Sequence, residues 1–133
     1  MIQDFGDVNN VELLNPLVLA YIGDAVYETY VRTFIIKNGS IKTNSLHRVA
    51  STKFVSAKSQ ANILESIKEY LTEKELNIVR RGRNANSNTI PKNADIADYK
   101  KATAFEALIG YLFLSKENER LEEIMKIIFK LGD

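Results

Sequence analysis

Residues 15–37, NPLVLAYIGDAVYETYVRTFIIK, and residues 102–114, ATAFEALIGYLFL, decide the fold. Both read as helices. In the first, Asn15 stands as an N-cap and Pro16 takes the first helical position, while Gly39 follows a Lys37-Asn38 ending. This helix is apolar nearly all round, which predicts a central element rather than a peripheral one. Each segment also carries a carboxylate in apolar company. Asp24 follows Gly23 among Leu17, Ala20, Val31 and Ile35, and Glu106 stands among Ala102, Phe105, Ile109 and Phe113. A bare carboxylate in such a setting is costly unless its charge is compensated.

The same helical periodicity extends outward from these two segments. A short stretch is expected over 44–51. Residues 53–71 place Phe54, Ala57, Ala61, Leu64, Ile67 and Leu71 at amphipathic spacing. Thr72 followed by Glu75 is a capping box that opens a helix carrying Leu76 and Val79 and ending near Gly82. After a polar loop, Ala94 or Asp95 starts the second apolar helix, which runs to about Ser115. A final amphipathic helix follows, with Leu121, Ile124, Ile127, Ile128 and Leu131 inward. The pattern contains no convincing strand, repeat, low-complexity tract or linker. The expectation is an all-α helical bundle forming a single domain over 1–133.

Composition narrows the chemistry. Hydrophobic residues make up 45% and charged residues 26%, as in an ordinary globular protein. With no cysteine, disulfides, thiolate zinc sites and a cysteine nucleophile are excluded, and the chain suits a reducing cytoplasm. The opening residues, MIQDFGDVNN, lack the apolar core of a signal peptide. Asp24, Glu28 and Arg32 interrupt the longest apolar stretch, so no membrane span is expected. Net charge is only +1, but the charges are sorted. No acid occurs from Leu76 to Ala94, whereas Arg80, Arg81, Arg83 and Lys92 do.

Two features carry chemistry, and each has a plain structural reading beside the functional one. Gly23 and Gly110 each suggest a close backbone approach. Helices touching at these glycines would bring Asp24 and Glu106 together, where two oxygen donors suit a hard divalent cation such as magnesium. The plain reading is that both carboxylates are satisfied locally, as Glu28 is by Arg32 one turn on. The second feature is the loop RRGRNANSNTIPKN, where guanidinium forks and side-chain amides suit phosphate oxygens and Gly82 would let backbone amides come close. Its plain reading is a solvated turn. His47 has no nucleophile pattern beside it and reads as a surface or cap residue. Tyr21, Tyr27 and Tyr30 read as core or interface. Asp95 and Asp98 lie too far along the helix to share a cation with Glu106, and either face the ligand or cap the helix.

LAYIGDAVYE (residues 19–28) and ATAFEALIGYLFL resemble the two signature segments of the ribonuclease III family, and RRGRNANSNTIPKNADIADYKKA is similar in placement to the family's loop between them. KFVSAKSQA (residues 53–61) and RGRNAN (residues 81–86) resemble in particular the Mini-ribonuclease III branch, a stand-alone catalytic domain without a double-stranded-RNA-binding domain. The resemblance implies a homodimer of ribonuclease III-like helical bundles with the first apolar helix at its interface. It implies magnesium-dependent hydrolysis of double-stranded RNA to 5′-phosphate and 3′-hydroxyl ends. Asp24 and Glu106 would be the catalytic metal ligands. Arg80, Arg81, Arg83, Asn84, Asn86 and Lys92 would hold the RNA backbone, extended by Lys53 and Lys58. The implied substrate is a large-subunit ribosomal RNA precursor, with a ribosomal protein as the helper that such a short enzyme would use. The chain departs from the larger enzymes at Leu17, Ala20 and Thr103, where they carry acids. Those missing acids leave room for an alternative, a catalytically weak or inert RNA-binding helical dimer acting in a ribonucleoprotein assembly.

Overall fold

The computed structural model describes residues 6–38, 51–86 and 90–131. Five α-helices account for most of them: α1 (Pro16–Lys37), α2 (Ala57–Ile67), α3 (Glu73–Asn84), α4 (Ile96–Leu114) and α5 (Asn118–Leu131). Short helical turns lie at Val11–Leu13, Ser51–Val55 and Lys68–Tyr70. Among the described residues there is no strand, and no helix is long and apolar enough to cross a membrane. The expected stretch over 44–51, His47 and part of the polar loop (87–89) lie outside the described residues, apart from Ser51.

Local chemistry sets the helix starts. The Asn15 side chain accepts from the Leu17 amide at 2.9 Å, with Pro16 at the first position of α1. Ser56 caps α2 by accepting from Ser59, and Asp95 caps α4 by accepting from Asp98 at 3.0 Å. Thr72 and Glu75 form the capping box of α3 in both directions. Glu75 is buried, and Arg120 of α5 donates two hydrogen bonds of 2.8 Å to its carboxylate, so one side chain caps α3 and ties α5 to it.

The central element is α4 rather than α1. It touches all four other helices and buries Ala102, Ala104, Phe105 and the whole run from Ala107 to Leu112. By contrast α1 buries one side, through Leu19, Ala20, Gly23, Tyr27, Val31 and Ile35, and leaves Val18, Tyr21 and Ile36 exposed. The expected helix over 53–71 is also broken into the Ser51–Val55 turn, α2 and the Lys68–Tyr70 turn. Phe54 still reaches the core, where it meets Phe34 and Phe129 edge-on while those two rings stack. The buried Tyr27 hydroxyl donates to the Phe54 carbonyl at 2.9 Å, which fixes the turn leading into α2 against α1.

Candidate active site

At their crossing, α1 and α4 meet backbone to backbone. A Cβ added at Gly23 would fall 1.8 Å from the Glu106 carbonyl oxygen, and one added at Gly110 would fall 1.9 Å from that of Leu19. Only glycine permits either contact. Asp24 adjoins Gly23, and Glu106 lies one turn before Gly110, so this crossing delivers both carboxyl groups to one place. They lie close enough that Asp24 raises the Glu106 carboxyl. Glu106 is half-buried, but Asp24 is exposed, contrary to its expected apolar setting, because it stands on the outer side of α1 with Tyr21 and Ala25.

The pair is electrostatically unbalanced. Burial pushes the Glu106 carboxyl up; the Asp24 contact and charge push it further, Glu28 adds a smaller push, and the Gln60 amide pulls it down. The outcome is a value of about 8, so near neutral pH this pair retains a proton that isolated carboxyls would have lost. Burial, and then the charge of Glu106, also holds the Tyr27 phenol well above its usual range. The plain reading of Glu28 is upheld: its carboxylate lies 3.5 Å from Arg32.

The sequence reading did not single out Gln60. It is 2% exposed, and its amide pulls the Glu106 carboxyl down. Its Oε1 has no hydrogen-bond partner, the only such buried side-chain atom among the described residues. An orphaned buried amide oxygen costs roughly 1–3 kcal/mol. The signal was present in the sequence: Ala57, Gln60, Ala61 and Leu64 share one helical face, so Gln60 interrupts an apolar stripe.

These donors fit a hard cation. Two carboxylates and an amide oxygen are the ligand types magnesium takes, and a divalent charge would relieve the repulsion that raises Glu106. Among the described residues, no group of three His, Cys, Asp or Glu side chains forms a larger cluster. The positions that are acidic in the larger enzymes supply no carboxylate: Leu17 is half-buried, Ala20 is buried, and the Thr103 hydroxyl donates back to the Tyr99 carbonyl at 3.0 Å.

The basic segment divides by task. Arg80, Arg83, Asn84, Asn86 and Lys92 are exposed. Arg80, Asn84 and Asn86 line an open depression with Asn15, Pro16 and Leu17. Leu17 and Asp24 are seven residues apart on α1, thus on one face and separated by roughly 10 Å of helix rise. Arg81 also borders the depression, but its guanidinium donates to the carbonyls of Glu12 (2.5 Å) and Leu14 (3.0 Å), anchoring the segment before α1 to α3. Gly82 does not present backbone to the loop as expected. It is buried inside α3, and a Cβ there would lie 2.8 Å from the Ala104 Cα, so the glycine serves helix packing. Lys53 and Lys58 are exposed on the segment that leads to Gln60.

Comparison with known proteins identifies the family and the fold. A family model described as "Ribonuclease III domain" matches residues 17–117. The chain is 52% identical over 123 residues to Mini-ribonuclease 3 of Clostridium tetani, covering 92% of this chain and 81% of that one. It is 55% identical over 119 residues to Mini-ribonuclease 3 of Brevibacillus brevis, covering 90% and 88%. The Staphylococcus aureus relative of the same name is 50% identical over 125 residues, covering 92% of each. A crystal structure of a Fusobacterium nucleatum protein superposes with a TM-score of 0.79 at 32% identity, covering 92% of this chain and 98% of that one. The chain thus belongs to the ribonuclease III family, in the branch of the Mini-ribonuclease 3 proteins, and is an endoribonuclease that acts on RNA.

Proposed function

We propose that the chain is a magnesium-dependent endoribonuclease that cleaves double-stranded RNA as a cytoplasmic homodimer, with a large-subunit ribosomal RNA precursor as its substrate. The observation that carries this reading is the close α1–α4 crossing at Gly23 and Gly110, which brings Asp24 and Glu106 to one place. These two residues would hold the ion. A bound magnesium would neutralise charge on the scissile phosphate and lower the pKa of a water, so that it gives up a proton and becomes the nucleophile. Asp24 and Glu106 gather the negative charge that draws a cation to this one point of the surface. The Gln60 amide pulls the Glu106 carboxyl down and so favours its charged form. Arg80, Arg83, Asn84, Asn86 and Lys92, with Lys53 and Lys58, contact phosphates of the duplex, and Arg81 holds the base of that surface. A-form RNA is read through its backbone and 2′-hydroxyls, so recognition is mainly of shape. The exposed Leu13, Val18 and Tyr21 support the dimer, and a ribosomal protein would help present the precursor.

The test uses purified chain and a duplex RNA, with magnesium and then with chelator. Asp24→Asn and Glu106→Gln are expected to lower cleavage by about a hundredfold to a thousandfold, the range that catalytic electrostatics supplies, while RNA binding changes less than about threefold. Cleavage that survives either substitution, or survives chelation, overturns the reading.

A further inference from the structure

Gln60 is buried and keeps one polar atom unmet. It lies in the first turn of α2, where its backbone amide donates to the Ser56 carbonyl at 2.9 Å. The Ser56 cap and the hydrogen bond from Tyr27 to Phe54 fix the start of that helix against α1. Its side-chain amide lies within reach of the Glu106 carboxyl, which it pulls down. The amide oxygen, Oε1, belongs to the same rigid planar group and is buried without a partner. On an apolar helix face, leucine or methionine would fill this position with no polar atom to satisfy.

We propose that Gln60 is the third oxygen donor of the cation site, with Oε1 meeting the ion directly or through one water. Three helices then contribute one donor each: Asp24 from α1, Gln60 from α2 and Glu106 from α4. Side-chain amide oxygens are ordinary ligands for hard cations. The neutral donor adds an oxygen without adding a third negative charge to a pair that already repels itself. It also makes up, from a different helix, for an oxygen that Leu17, Ala20 and Thr103 do not supply. The proposal rests on the reading that Asp24 and Glu106 hold a divalent cation.

Manganese, added to metal-free full-length chain and followed by the loss of its free electron paramagnetic resonance signal, tests this without RNA or turnover. Gln60→Met keeps the side chain's length and removes both polar ends; its manganese affinity is expected to fall about tenfold or more, with metal-free melting no lower than that of the original chain. Gln60→Glu keeps an oxygen and loses the amide N–H donor. It is expected to bind manganese at least as tightly as the original chain and to gain more in melting temperature when the ion is added. Unchanged affinity in Gln60→Met overturns the proposal. So does a loss in Gln60→Glu equal to that in Gln60→Met, which would mean that only the donor end matters. If Gln60→Met does not fold, weakened binding by Gln60→Glu is the overturning result. Asp24→Asn separates the two levels. Unchanged manganese binding in that variant overturns the cation site and the proposal with it; weakened binding there beside unchanged binding in Gln60→Met overturns the proposal alone.

Discussion

Glu106 and Glu75 are both largely enclosed, yet they titrate in opposite directions because their neighbours differ. Burial pushes each carboxyl up. At Glu75 the Arg120 guanidinium and the Thr72 amide outweigh burial and hold it below the usual range. Its contribution to stability is therefore present above the ordinary carboxylate range and is lost as pH falls through it. At Glu106 the nearest charge is another carboxylate, and the value rises from 4.5 to about 8. Between those limits the folded chain binds more protons than the unfolded chain, so stability falls as pH rises. Metal-free protein is expected to lose melting temperature steadily from about pH 5 to about pH 8, a window set by that rise. Glu106→Gln cannot titrate and should flatten the profile. Saturating magnesium should also flatten or reverse it, because the ion takes the place of the proton and binds only the folded site. Thermal melts across that range, with and without the ion, check this; equal slopes in the original chain and Glu106→Gln would refute the shift.

The α1–α4 crossing turns two glycines into the frame of a site. By helix propensity alone, Gly23→Ala would stabilise α1 by about 1 kcal/mol. The added methyl would instead lie 1.8 Å from a backbone oxygen of α4, which no side-chain rotation can relieve. The expected result is a net loss of about 1–3 kcal/mol, with cleavage reduced well beyond the unfolded fraction because Asp24 moves relative to Glu106. Gly110→Ala should behave alike, and urea unfolding beside a cleavage assay checks both; a Gly23→Ala variant as stable and active as the original chain would contradict the crossing. This element was legible in the sequence because glycine weakens an apolar helix, and close approach of a second backbone is the main gain that offsets the loss. The caps at Asn15 and Thr72 were legible because they obey rules spanning three residues. Gly82 was misread because its partner, Ala104, is distant in sequence, and beside a basic loop the glycine looked like part of that loop. The length and apolarity of α1 suggested a central helix, but sequence does not say how many neighbours an apolar face finds. Gln60 needed the fold: its meaning comes from Glu106 on another helix.

At the scale of the molecule, the side of α1 left uncovered is also the side that carries Asp24. Tyr21 is 82% exposed, Leu13 77% and Val18 50%, and Tyr21 lies one turn before Asp24. Ile36, Ile96 and Leu131 are exposed as well, but each stands at a helix end, where apolar exposure is common. Val18 and Tyr21 instead lie one turn apart in the body of α1 and lead toward Asp24, the kind of surface that a second copy covers in a two-fold dimer. Such a dimer would set two carboxylate pairs on one assembly, one for each strand of a duplex. Tyrosine at the centre of an interface commonly carries about 2 kcal/mol or more, which corresponds to a dissociation constant raised roughly thirtyfold. Tyr21→Glu, which also places a charge near the partner's copy of itself, is expected to exceed that and to yield monomer at micromolar concentration. Val18→Glu should act in the same direction. Sedimentation equilibrium measures the shift, and circular dichroism should be unchanged because neither side chain belongs to the core. Cleavage of a duplex should fall with the dimer, since a monomer loses the partner half of the RNA-binding surface. A Tyr21→Glu chain that remains dimeric would move the interface elsewhere, and an original chain that is monomeric at micromolar concentration would remove it.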